Sequence, residues 1–355
     1  MSAAGISRKA LIVGASGLVG GNLLNRLASD KSWDVITLSR RPPLGAPAGV
    51  RHLAVDLLDA QQCRNAATEL VEVTHMFFCA RSVEENYVIK VDANRLIVEN
   101  LLDAMLPVAL KLEHVQIIHG MKWYGSNLGP YRQPAKESHA RLQGKNFYYE
   151  QLDALIARQK GQTWSWSTLR PHFICGVSVG SPSNPLSTLG AYAAILKEMG
   201  RPLDFPGPQG AFHATLNITD VRLLTQAMQW AATEPRCANE AFNIVNGDNF
   251  CWRDVWPMLA EHFGMAEGVV STVKLRDFMI DKENIWAAIA EKHGLNAKSM
   301  ADIADWAFAD VMFDGAWDQT ASVVKAHRFG FIGMVDTEEM LLEILLQYRA
   351  LKLLP

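Results

Sequence analysis

The sequence predicts an α/β fold, a doubly wound parallel sheet with an interleaved, mostly helical second part. Three observations predict it. An apolar run, ALIVG (10–14), passes through a glycine-rich turn directly into the helix-like GNLLNRLAS. Further β-rich runs then alternate with helix-patterned ones, as a parallel sheet with crossover helices requires. From Gly247 onward the pattern turns mostly helical, with Trp252, Trp256, Trp286, Trp306 and Trp317 read as core residues.

Composition narrows the function classes. A chain of 355 residues, 49% apolar and 20% charged, can bury a full core. A formal net charge of −3 without a basic block argues against nucleic acid or an anionic membrane as partner. The five cysteines (63, 79, 175, 237 and 251) form no C-x-x-C pair, which predicts reduced thiols in a cytoplasmic protein and no metal site. At the N-terminus, Gly14 and Gly17 interrupt the apolar run that a signal peptide would need. Residues 171–196 lack Asp, Glu, Lys and Arg, but Pro171, Pro182 and Pro185 oppose a spanning helix.

ALIVG reads as the first buried strand. In the GASGLVG that follows, Gly14, Gly17 and Gly20 are spaced G-x-x-G-x-x-G. Such glycines allow a tight strand-to-helix turn and a close approach of backbone N–H groups to a pyrophosphate, helped by the helix N-terminus. Gly14, Ser16, Gly17, Leu18, Val19 and Gly20 are therefore expected to bind a dinucleotide. The second strand, WDVITL (33–38), ends in Ser39, Arg40 and Arg41. A carboxylate there would accept from the ribose 2′-hydroxyl of NAD, whereas Ser-Arg-Arg suits the 2′-phosphate of NADPH. Asp34 opens the strand and points away; two solvated arginines before a proline turn are the plainer alternative. The third strand, RHLAVDL (51–57), brings Asp56 and Leu57 towards the adenine, and the fourth, HMFFCA (75–80), brings Cys79 and Ala80 to the cofactor edge. In the helix that follows, Ile89, Ala93, Leu96, Ile97, Leu101 and Ala104 are expected to face the sheet. HVQIIHG (114–120) and TWSWSTLR (163–170) read as the next strands. Pro171, His172, Phe173 and Ile174 then lie where the nicotinamide would sit.

The catalytic tyrosine of most short-chain reductases has a lysine four residues later. Here Leu152 follows Tyr148 at that spacing, and Asp153 follows Tyr149. The one literal Tyr-x-x-x-Lys, Tyr348 to Lys352, lies at the far C-terminus and reads as an amphipathic surface helix. Lys122 lies just past the fifth strand, and Tyr148 begins the next helix, so a cation and a phenol can converge from separate elements. Read from the residues alone, an aromatic helix start and a solvated loop lysine remain open.

Taken together, the glycine loop, Lys122 in an -x-G-x-K-x-Y- segment and NFYY-x-x-x-D (146–153) resemble the progesterone 5β-reductase and iridoid synthase-like reductases. The likeness continues through LRPHFICG (169–176), AYAAILKEMGRPLDFPG (191–207) and NEAFNIVNGDNFCW (239–252). It implies a Rossmann-type fold of the extended short-chain dehydrogenase/reductase kind, NADPH as cofactor, and saturation of activated C=C bonds. It also implies Tyr148 and Lys122 as the catalytic pair. Departures are His119 where the family commonly has Thr, Trp123 between Lys122 and Tyr124, and the GSNL insertion after Tyr124. Trp123, Tyr124, Tyr149 and His213 are expected substrate contacts. His119 is expected to be a buried strand residue hydrogen-bonded to backbone.

Residues 1–176 and 213–246 are expected to form the NADP-binding domain, and 177–212 with 247–355 the substrate-binding part. The latter should contain a helix over Thr188–Met199. HATLNITD, VRLLTQAMQWAA and AFNIVNG should return strand, helix and strand to the main sheet. The expected activity is 1,4-reduction of a small apolar enone or enal by hydride transfer to its β-carbon. A nucleotide-sugar epimerase or dehydratase and a non-catalytic NADP sensor are the rival readings. A homodimer is common for this fold.

Overall fold

The computed structural model describes residues 8–84 and 87–355. The leader argument rests partly on residues 1–7, which lie outside the described residues. Strands β1 (Arg8–Val13), β2 (Trp33–Ser39), β3 (Arg51–Ala54), β4 (His75–Phe78), β5 (His114–Ile118) and β6 (Ser165–Arg170) join the strand Glu240–Asn243 in one parallel sheet. Its order runs from Glu240–Asn243 through β6, β5, β4, β1 and β2 to β3. The order reverses beside β1, which pairs with β2 on one side (Val13 opposite Leu38) and β4 on the other (Val13 opposite Phe78). A crevice at the carboxyl ends of strands opens at such a switch point.

Helices cover both faces. On one, α1 (Leu18–Ala28) and the helix Val221–Thr233 bury Leu23, Leu24, Leu224 and Met228 against Ile12 and Phe77. On the other, α2 (Ala60–Ala67), α3 (Val91–Met105) and α4 (Phe147–Gln159) pack on Leu11, Met76 and Val115. The buried face of α3 is Asn94, Ile97, Val98, Leu101 and Met105. Leu96, expected to face the sheet, is exposed. The polar Asn94 holds that phase, since its amide bonds both Ser82 N and Ser82 O.

A third core fills the helical part. At its centre lies α5 (Pro185–Glu198), started by Asn184, whose side chain accepts from Leu186 N. It begins three residues before the expected Thr188, and every residue from Pro185 to Leu196 is buried. A helix enclosed on all sides carries no amphipathic period to mark its ends. Trp252, Trp256 and Trp286 are core residues, while Trp306 and Trp317 are half-buried.

One expectation is corrected and one is refined. Residues 213–220 do not return to the main sheet: Thr215–Leu216 pairs with Phe250–Cys251, and Thr219–Asp220 with Ile174–Cys175. The helix that carries Tyr348, Thr337–Ala350, is amphipathic with Glu338, Glu339 and Arg349 exposed, but Tyr348 lies on its inward face and is fully buried, its hydroxyl bonding Gly176 O, Asn184 Nδ2 and Ser178 N. Among the described residues no helix is long and apolar enough to cross a membrane, and no cluster of three metal-ligating side chains occurs.

Candidate active site

The glycine turn is shaped by two different constraints. Gly14 has φ +83°, and a Cβ there would lie 2.8 Å from Ala80 N; a Cβ on Gly20 would lie 2.4 Å from Gly14 O. These two glycines are required by the protein's own packing. Gly17 is not, since its nearest would-be contact is Gly14 O at 3.5 Å. It is the N-cap of α1, with no side-chain cap and no acidic residue in the first turn. A bare, uncapped N-terminus at the switch point leaves the N–H groups of Leu18, Val19 and Gly20 facing the crevice mouth, as a pyrophosphate requires.

The adenosine end fits as well. Arg40 and Arg41 are exposed and form no ion pair among the described residues. Ser39 is buried and its Oγ donates to Arg41 O at 2.7 Å, so it shapes the turn that presents the arginines. Asp34 pairs with Lys9 at the opposite end of the strand. Asp56 is half-buried and accepts from Leu58 N, and Asn100 holds Leu57 O. Cys79 N donates to Val13 O, which fixes Cys79 and Ala80 against Gly14. The residues present thus fit a nicotinamide dinucleotide laid across the sheet edge.

At the reacting end, β5 leads through His119 and Gly120 into a 3-10 turn, Met121–Tyr124, that carries Lys122. Tyr148 sits in the first turn of α4. Its hydroxyl has no hydrogen-bond partner among the described residues, and it lies 2.9 Å from where a Cβ on Gly120 would stand. Pro171 O borders the same point at 3.3 Å. Burial pushes the Tyr148 phenol above its ordinary value, and the charge of Arg81 draws it back down. Burial, and then repulsion from Arg81, together lower Lys122 to about 8. Lys122 Nζ and Arg81 Cζ lie 5.2 and 5.0 Å from the centre of the same Tyr87 ring. Sequence reasoning missed Arg81 and Tyr87. Arg81 directly follows the fourth strand at the crevice edge, which was its available signal; Tyr87 had none, because a loop brings it there.

The remaining expected residues fall into two groups. Trp123 is buried, stacked on His119 at 5.5 Å and edge-on to Tyr149 at 4.7 Å, with the Arg170 guanidinium 3.7 Å above it. Tyr149 Oη donates to Trp123 O and accepts from Leu142 N. Tyr124 Oη donates to Asn243 Oδ1 and accepts from Arg170 Nη1, and burial raises its phenol to about 12. These hydroxyls are committed to the protein. His119 is buried as expected and its backbone N–H donates to Leu169 O at 2.8 Å, while neither ring nitrogen has a hydrogen-bond partner among the described residues. Burial, with Arg170 and Arg141 nearby, holds its pKa well below the usual imidazole range.

His172 is sealed by Nδ1 donating to Asn217 O at 2.6 Å. Phe173 has φ +28°, a strained value for a residue with a Cβ, and leads into Ile174 in a two-residue strand. His213 is exposed, its ring between Gln209 and Arg253, and no hydrogen bond ties it to the crevice among the described residues. A cavity of about 430 Å³ among the helices, beside Ala193, Phe263 and Ile289, shares no residue with this site.

Comparisons with known proteins identify the family. Residues 10–355 match the family model of the PRISE-like Rossmann-fold domain. The chain is 34% identical to the 3-oxo-Δ4,5-steroid 5β-reductase of Arabidopsis thaliana, over 98% of this chain and 93% of that protein. It is equally 34% identical to an (S)-8-oxocitronellyl enol synthase of Nepeta racemosa, with the same coverage. Among solved structures, the UDP-glucose 4-epimerase of Thermus thermophilus in complex with NAD superposes with a TM-score of 0.67 over 96% of this chain and 99% of its own. At 17% identity that likeness concerns the fold alone. The chain therefore belongs to the PRISE-like Rossmann-fold family, the enone-reducing oxidoreductases that its motifs resemble.

Proposed function

We propose that the protein is an NADPH-dependent reductase that saturates the C=C bond of small apolar α,β-unsaturated carbonyl compounds. The observation that carries this reading is the Tyr148 hydroxyl over Gly120, without a hydrogen-bond partner among the described residues, with the Arg81 cation acting on it and Lys122 beside the same Tyr87 ring as Arg81. When bound, NADPH supplies a hydride to the β-carbon of the substrate. The electron pair of the C=C bond then moves so that negative charge develops on the carbonyl oxygen. Tyr148 Oη donates to that oxygen, a contact of a kind whose removal costs about 2.7–4 kcal/mol. Lys122 and Arg81 favour the charge electrostatically. A proton from solvent reaches the α-carbon and completes the addition. Arg40 and Arg41 take the 2′-phosphate through charge-assisted bonds.

The epimerase reading lacks support at the residue level. Its chemistry needs a lysine one turn after the tyrosine, and that position is the buried Leu152. The sensor reading has no use for an open phenol beside the Arg81 cation. The test is NADPH oxidation, with NADH in parallel, against small enones, citral-type enals, 8-oxogeranial and progesterone. Turnover of at least one with NADPH preferred is expected. No turnover of any overturns the reductase reading, and turnover with NADH alone overturns the 2′-phosphate assignment.

A further inference from the structure

Lys122 and Tyr148 lie on different elements, joined by an irregular segment that alone would not set their separation. One side chain spans the gap. Asn146 Nδ2 donates to Lys122 O at 2.7 Å, and Asn146 Oδ1 accepts from Tyr148 N at 3.0 Å. The amide orientation follows from its partners, because a carbonyl can only accept and a backbone N–H can only donate. We propose that Asn146 is a positioning residue that clamps the Lys122 turn to the first turn of the Tyr148 helix. This rests on reading Lys122 and Tyr148 as the catalytic pair.

Capping alone does not select asparagine. Ser, Asp and Asn are nearly equivalent at the N-cap, where Asn146 stands with φ −139° and ψ 127°. Only the amide offers a donor and an acceptor on one rigid plane. An ionised aspartate would keep the acceptor for Tyr148 N but turn an oxygen towards Lys122 O. A serine would keep the cap but is too short to hold both. The grip is reinforced next door, where Tyr149 Oη donates to Trp123 O. Two successive carbonyls of the 3-10 turn are thus held by the start of α4. The clamp does more than cap a helix: it keeps the Lys122 backbone drawn in, and so keeps the ammonium in its desolvated place beside Tyr87.

The test compares wild type, Asn146→Ser and Asn146→Asp as full chains with NADPH and a turned-over enone. Both variants should melt within a few degrees of wild type and keep their KM for NADPH, while kcat falls about 10–100-fold, the scale of a small misplacement of reacting groups. The alkaline limb of the kcat profile should move up as Lys122 relaxes towards solvent. A merely structural cap would move the melting temperature and leave that limb in place. The amine of Lys122, read by NMR titration after reductive ¹³C-methylation, should titrate near 8 in wild type and higher in Asn146→Ser. That readout needs no turnover. If wild type reduces no enone but the amine shifts in the variant, the reductase reading fails and the clamp stands. If Asn146→Ser keeps wild-type kcat and an unmoved amine, the clamp is overturned. Should Asn146→Asp fail to fold, Asn146→Ser decides alone.

Discussion

The Tyr148 hydroxyl occupies the space that a side chain on Gly120 would fill, 2.9 Å from its would-be Cβ. Gly120 has an extended backbone, φ 175°, that any residue adopts, so the glycine is needed for room and not for conformation. Gly120→Ala should therefore push the phenol off its position and leave the fold intact. A 10–100-fold loss of kcat with an unchanged KM for NADPH is expected from steady-state kinetics.

Tyr148→Phe removes the proposed donor to the developing oxyanion while keeping the ring that packs on Phe147 and His119. The expected loss in kcat is about 100–1,000-fold, with little change in melting temperature. Unchanged turnover would refute the donor role.

Lys122 titrates near 8, below the usual lysine range. Its ammonium is present below that pH and lost above it, so kcat should decline as pH rises through about 8. The same depression bears on stability with the opposite slope. Between about 8 and 10.5 the unfolded lysine holds a proton that the folded one has released, so this group adds stability as pH rises across that window. The kcat profile of Lys122→Ala should lack the alkaline limb.

Arg40→Ala combined with Arg41→Ala removes the charges proposed for the 2′-phosphate. Each charge-assisted bond is worth about 1.5–3 kcal/mol. The double variant should raise KM for NADPH at least 10-fold and leave KM for NADH nearly unchanged. Equal effects on both cofactors would place the arginines elsewhere.

His75 and His114 face each other at the amino ends of β4 and β5, ring centres 6.4 Å apart. Burial lowers them to about 4 and about 3, with Arg8 repelling the first and His75 the second. Unfolded imidazoles bind protons below about 6.5 while the folded ones stay neutral, so stability should fall as pH drops from 6.5 towards 4. The loss is on the order of 1–2 kcal/mol per ring at pH 5. Urea unfolding at pH 7.5 and pH 5 measures it, and His114→Gln should narrow the difference.

The sequence by itself determined the sheet, the glycine turn and the family, because these depend on local pattern. Apolar runs at buried strands, glycines where a Cβ would strike Gly14 O or Ala80 N, and the NFYY and Lys122 segments are all written within a few residues. It also placed Lys122 and Tyr148 on neighbouring elements. Tertiary structure alone decided what surrounds them. Tyr87 reaches the site from the connection between β4 and α3, where no periodicity marks it, and there shares its ring with Arg81 and Lys122. The hydroxyls of Tyr124 and Tyr149, both expected substrate contacts, bond Asn243, Arg170 and Trp123 O, partners remote in the chain that no local pattern names. The same distance hid the burial of Tyr348 and the true ends of α5, since a helix enclosed by others shows no polar face. A side chain's partner is set by what folds against it, and that information lies along the whole chain.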